Sequence, residues 1–285
     1  TAAPFTAAPF TAAPFTAAPT TGGGSGLCFS TETTVERDDG SMVAMKELHI
    51  GDRVRVANGK YEPIYSFGHF DTSVVKTEFV QIQTTSSEGK LEMTPNHLLF
   101  QEGNQVVMAS SLKIGDKVVL ASGEEDTITG LKTIQRTGII APFTASGTIA
   151  TNGILSSSFA TIQKSQYVSL SDKWVLPLTY HQLGLVFESP HRLWCHHWRG
   201  LDECARSERY NEEGMSQWVE TPMHLWNWLL QQHVLVVGTL FSMAFSFLCL
   251  VHVLEIILLN PGYAVLSLLL VSLVAARRRR INKLT

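Results

Sequence analysis

Gly26-Leu27-Cys28-Phe29-Ser30-Thr31-Glu32-Thr33-Thr34-Val35 is where a soft Thr/Ala/Pro/Gly leader gives way to ordered, strand-like sequence. The first residue of the ordered part is a cysteine. A thiol there can attack the carbonyl of the peptide bond just before it, Leu27–Cys28, and turn that amide into a thioester. The stretch ahead is suited to such a bond. Residues 1–20 are four near-identical blocks, TAAPF three times and then TAAPT. A proline in each block removes a donor and fixes φ, so the repeat reads as an extended spacer and a candidate for O-glycosylation. Thr20-Thr21-Gly22-Gly23-Gly24-Ser25-Gly26 is more flexible still and would let the bond bend into a pocket.

From Cys28 to about Leu170, short β-type runs alternate with Gly, Asp and Asn, among them Asp52–Val56, Phe79–Thr84 and Lys117–Leu120. This spacing predicts an all-β domain. An internal repeat runs through it, with Leu48-His49-Ile50-Gly51-Asp52-Arg53-Val54 matched by Leu112-Lys113-Ile114-Gly115-Asp116-Lys117-Val118. Two copies predict two interlocked halves related by a pseudo-two-fold, since a solenoid needs at least about three. Asp52 and Asp116 belong to the repeated turn and read as structural.

Cys28 needs help, because an amide is more stable than a thioester. Attack requires that the scissile amide be polarised or strained and its nitrogen protonated as it leaves. Thr94-Pro95-Asn96-His97 supplies a hydroxyl and an imidazole, with Pro95 biasing Thr94 towards extended backbone. The plainer reading is a β-turn followed by a core histidine.

Taken together, Cys28-Phe29 with Thr33 and Val35, the Leu-x-Ile-Gly-Asp-Arg-Val block, Thr94-x-x-His97-Leu98, and Ala141–Ile149 with Asn152 resemble the hedgehog autoprocessing domain. That domain belongs to the Hint superfamily shared with inteins, and the resemblance covers roughly residues 27–168. It implies an all-β Hint fold with Cys28 as the nucleophile of an internal thioester and Thr94 and His97 as the pair acting on the scissile amide. Asp71, in Gly68-His69-Phe70-Asp71, falls where hedgehog proteins have the aspartate that serves the second step. There a sterol hydroxyl resolves the thioester and leaves with the upstream polypeptide. No cofactor is implied beyond a sterol or other lipid alcohol as co-substrate, and water would serve as well. The rival reading is an inactive, membrane-tethered Hint scaffold on a mucin-like spacer. Three departures stand out. Leu27 replaces the usual glycine, and Ser157-Ser158-Phe159-Ala160 stands where hedgehogs carry a cysteine. Finally, no His-Asn pair closes the domain for splicing.

The remaining chain divides by composition. Residues 1–26 read as linker, 27–168 as the β domain, 169–232 as a Trp/His-rich membrane-proximal region, 233–276 as apolar segments and 277–285 as a basic tail. Every one of the six Trp falls between Trp174 and Trp228, which suits an interfacial belt. Helices are expected near 179–187 and 222–232. Val234 to Leu259 is apolar and long enough to cross a bilayer, interrupted by His252 and Glu255, which could pair across one turn. Tyr263–Ala276 is a shorter apolar run ending in Arg277-Arg278-Arg279-Arg280, a tail expected on the cytosolic side. One span or two remains open, and with it the side of the β domain. Cys195, His196, His197 and Cys204 match no finger-like metal spacing. Cys195 and Cys204 could pair as a disulfide if lumenal and are otherwise ordinary thiols, and Cys249 reads as a small buried hydrophobe. A net charge of −3 gives no argument for nucleic acid as a partner. The chain, starting at Thr1, is expected to follow upstream cargo, so the expected partners are its own upstream polypeptide and membrane lipid.

Overall fold

The two Gly-Asp blocks build the same piece of backbone twice. In the first, Gly51 turns with φ +98° and donates to Ile64 O at 2.8 Å, while Ile64 N–H returns a bond to Asp52 O at 2.9 Å. In the second, Gly115 turns with φ +95° and donates to Ile128 O at 2.9 Å, and Ile128 N–H returns to Asp116 O at 2.8 Å. A positive φ of this size is open to glycine at little cost. Each aspartate closes its turn by accepting from the residue three positions back, His49 N–H at 2.8 Å and Lys113 N–H at 2.9 Å. Both are therefore structural, as their place in the repeat implies.

The structure is a computed structural model that describes residues 28–73, 76–86 and 90–259. Readings of the TAAPF spacer, of Leu27, of Tyr263–Ala276 and of the arginine tail lie outside the described residues.

Each turn feeds a short strand, Arg53–Arg55 or Lys117–Val119, and then a long one, Tyr61–Asp71 or Glu125–Arg136. The long strands then change partners. Tyr61–Asp71 pairs antiparallel with Ile139–Thr144 from the second half, and Glu125–Arg136 pairs with Thr77–Thr84 from the first. The pseudo-two-fold is thus a reciprocal exchange of strands, and the core follows it. Val54 and Val118, and Ile64 and Ile128, occupy matching places in one apolar cluster with Phe29, Met93 and Ile140. Burying each such side chain contributes about 1.5–3 kcal/mol.

Three elements then frame the site. Strands His97–Gln101 and Ile154–Ala160 pair with each other beside Thr148–Thr151. After them comes the hairpin Tyr167–Ser171 with Trp174–Thr179. Helices follow over Tyr180–Phe187, Ser189–Leu193, Leu201–Ser207, Gln217–Leu230 and Val234–Leu259, with a π-helical turn at Trp194–Arg199. A reciprocal Thr179–Gln182 capping box starts the first helix where the sequence places it. Gln217–Leu230 starts earlier than the expected Pro222, because Ser216 Oγ accepts from Trp218 N–H and caps it there. Cys195 and Cys204 form a disulfide, which settles the alternatives left open for them. Cys249 is half-buried.

Candidate functional site

Cys28 enters the fold as a strand-like segment laid between two others. Phe29 exchanges both main-chain hydrogen bonds with Ile140 (2.9 and 3.0 Å), and Ser30 N–H donates to Glu92 O at 3.1 Å. This registers Cys28 against Thr94. Thr94 N–H donates to Cys28 O at 2.9 Å, and Cys28 N–H, the nitrogen of the peptide bond to Leu27, donates to Thr94 Oγ1 at 3.1 Å. The Cys28 side chain is wholly buried and its sulfur is not in a disulfide.

Thr94–His97 is indeed a tight turn, with His97 N–H on Thr94 O at 3.0 Å. The turn swings the imidazole under the Cys28 segment, where it packs on the Phe29 ring with centroids 4.1 Å apart. His97 is fully buried, and its Nε2 lies 2.9 Å from Ser157 O. A carbonyl oxygen only accepts, so the proton of that bond sits on Nε2 and Nδ1 is the basic nitrogen. The turn and the core histidine of the plainer reading are both present, and they bring the Thr94 hydroxyl onto Cys28 N–H and the imidazole onto Phe29.

A support behind His97 is not evident from local motifs. Ser157 Oγ accepts from Phe159 N–H at 2.9 Å and is hydrogen-bonded to His181 Nδ1, also at 2.9 Å. Burial pushes the His181 imidazole down to about 4, keeping it neutral. No local motif in the sequence joins Ser157 to His181, which lie 24 residues apart.

Asp71 ends the strand Tyr61–Asp71, opposite Ile139. Ile140 lies between Phe29 and Phe70, so Asp71 stands two strands across from Cys28 and two residues along, about 12 Å at the usual strand spacings. Its Oδ1 accepts from Ser73 N–H and Ser73 Oγ at 2.6 and 2.7 Å. His69, on the same strand, is held by Glu213 O at 2.5 Å, and burial lowers its basicity. The fold therefore bonds Thr94 to Cys28 and sets His97 against the neighbouring Phe29, with Asp71 two strands away.

Beside the Cys28 cluster lies a cavity of about 160 Å³ walled by Phe143, Phe159, Trp218 and Trp226, with His69 and Glu188 at its edge. Ser158 Oγ is buried on its wall with no hydrogen-bond partner among the described residues. His191, Cys195 and Cys204 approach one another closely enough to consider a metal, but both sulfurs are committed to the disulfide.

With this geometry in hand, comparison with known proteins is decisive. The Hint module family model matches residues 17–231, most of the chain. The chain belongs to the Hint family. This Hint chain is 29% identical to the Tiggy-winkle hedgehog protein of Danio rerio over 229 residues, 73% of this chain and 50% of that one. It is 33% identical to Protein hedgehog of Drosophila hydei over 147 residues, 47% of this chain and 30% of the other. It thus spans half or less of the length of these curated relatives. Among solved structures, the gp41-1 intein is similar at 18% identity and a TM-score of 0.40, covering 47% of this chain and 99% of its own. Membership of the Hint family, with these hedgehog relatives, implies autoprocessing.

Proposed function

We propose that Cys28 is the nucleophile of a single-turnover self-cleavage at Leu27–Cys28. His97 Nδ1 takes the thiol proton, the thiolate attacks the Leu27 carbonyl, the C–N bond breaks, and that proton passes to the Cys28 nitrogen as the thioester forms. Thr94 Oγ1 holds that nitrogen, and His97, through Nδ1, is the nearby acid–base group. A second nucleophile then attacks the thioester carbonyl. Its O–H proton passes to Asp71, the C–S bond breaks, and the thiolate is regenerated as the upstream segment leaves. The observation that carries this reading is the 3.1 Å hydrogen bond from Cys28 N–H to Thr94 Oγ1, which puts a hydroxyl on the one nitrogen that must change.

A lipid alcohol is the second nucleophile favoured here over water. In support, the cavity beside the Cys28 cluster is walled by aromatic rings and has a Ser158 hydroxyl with no partner among the described residues, a lining suited to an apolar body carrying one polar group. The Cys195–Cys204 disulfide supports an oxidising compartment, and the apolar helix Val234–Leu259 supports association with a membrane.

The test uses the full chain behind a small reporter, with intact mass read before and after adding dithiothreitol or hydroxylamine. A reporter fragment ending at Leu27, accelerated by the added nucleophile and lost in Cys28→Ala, is expected. An uncleaved chain under every condition, membranes and lipid alcohols included, would leave only the inactive-scaffold reading.

A further inference from the structure

Val234–Leu259 is long enough to cross a bilayer, yet it does not stand clear of the body. One stripe of it, Val237, Phe241, Phe245, Leu248, His252 and Glu255, runs at helical spacing and is turned inward along nearly the whole length. Near one end, Val237 and Phe241 pack into a cluster with Leu183, Trp226 and Leu229. Near the other, Glu255 meets Arg192 in a two-pronged ion pair at 2.6 and 2.7 Å, with side chains 3% and 1% exposed. His252 completes it, 3.0 Å from Glu255. From Val237 to Glu255 the helix rises about 27 Å, so body and helix lie side by side over nearly a bilayer's hydrocarbon thickness.

The outer face is exposed and largely apolar, with Val236, Leu240, Met243, Phe247, Leu250, Leu254 and Leu258 in turn and Thr239, Ser242 and Ser246 beside them. The hydroxyls of Thr239 and Ser242 do not reach for solvent. They return to Leu235 O and Gly238 O, one turn back, at 2.8 and 2.7 Å. A face that satisfies its own polar groups in this way is built for hydrocarbon.

If the helix stood upright in a bilayer, its packed neighbours would enter with it. Among those neighbours, the hairpin whose first strand packs on the helix carries exposed Asp172 and Lys173 at its tip. Each ionised side chain in the bilayer centre costs about 2.5 kcal/mol or more. Lying flat, the helix buries only its outward stripe, and Leu225 and Trp228 of the preceding helix are exposed as further contacts. We infer that Val234–Leu259, pinned to the body by Val237, Phe241 and the Arg192–Glu255 pair, is an in-plane anchor that seats the Hint domain on one leaflet of a lipid bilayer and does not cross it.

The test places single spin labels at Leu235, Met243, Leu250 and Leu258 of the full chain, with Cys28→Ala and Cys249→Ser as background. The protein is added to phosphatidylcholine vesicles containing one-fifth phosphatidylserine, about the charge density of an anionic leaflet. Immersion depth is read from oxygen against nickel-chelate relaxation. An in-plane helix gives four depths within a few ångströms of one another. A crossing helix gives shallow ends and inner labels deeper by about 12 Å, eight residues at about 1.5 Å each, and that profile overturns the inference. Failure of the chain to bind vesicles overturns it too, since the apolar stripe would then be covered by something other than lipid.

Discussion

Thr94→Val removes a hydroxyl and little else. Thr94 N–H on Cys28 O, His97 N–H on Thr94 O and Phe29 N–H on Ile140 O are main-chain bonds, so the segment keeps its register in the variant. The valine leaves Cys28 N–H buried without its acceptor, which costs about 1–3 kcal/mol of stability. The effect on rate follows a different rule. A bond equally strong before and during reaction changes nothing, and only the part that strengthens as a planar amide nitrogen becomes a basic amine lowers the barrier. Positioned proton-transfer groups contribute about 10²–10⁴-fold, and the lower end suits a hydroxyl that is not itself the acid. A 100-fold loss corresponds to about 2.7 kcal/mol of barrier. The assay is dithiothreitol-driven release of an upstream reporter, followed by intact mass, with Thr94→Ser expected to restore most of the rate. If Thr94→Val cleaved within about threefold of the parent, under 1 kcal/mol, while Cys28→Ala remained inert, the hydroxyl would have no part in the step.

Other perturbations probe the surroundings. His181 is held near 4 when folded against about 6.5 in an unfolded chain, so the unfolded state binds more protons between these values. Stability is therefore expected to fall by about 3 kcal/mol as pH drops from 6.5 to 4, and urea melts of His181→Gln should lose much of that slope. Arg192→Met strands a buried carboxylate at Glu255 and should cost about 3–5 kcal/mol, most of it regained in Arg192→Met with Glu255→Leu, as read by thermal melts in detergent. Replacing both Cys195 and Cys204 by alanine opens a short loop and should cost about 2.5 kcal/mol by the chain-entropy relation, again read in urea. Gly214, at φ +79°, has no room for a side chain, since a Cβ there would lie 2.6 Å from Phe70 O and 2.7 Å from Asp71 Cβ. Gly214→Ala should therefore displace the strand end and slow release to a lipid alcohol more than release to dithiothreitol. Equal slowing would detach Asp71 from the second step.

Local signals made some of this structure readable in advance. The Gly-Asp turns, the β runs, the helix opening at Thr179 and the apolar run from Val234 are written in spacing a few residues long, and the structure has all four. His252 and Glu255 were legible as a pair for the same reason. Their partner Arg192 was not, because nothing near either end announces a contact 63 residues away. The same limit hid Ser157 and His181 behind His97, which only strand pairing and the following helix bring together. It also hid which long strand pairs with which, since both halves offer equivalent apolar edges. Cys28, Thr94 and His97 were recognisable as residue types in order, but their contact depends on Phe29 being gripped by Ile140, a register set more than a hundred residues downstream.

The exchange of strands between the two halves has a consequence for ancestry and for cutting the chain. Neither half can complete its own sheet, because Tyr61–Asp71 finds its partner in the second half and Glu125–Arg136 finds its in the first. A single ancestral half would have met the same need by pairing with an identical copy, as a swapped dimer whose linkage in one chain made the present molecule. The covalent connection between the halves is then a convenience of concentration, and two fragments divided between Thr84 and Leu91 would still have each other as their best partner.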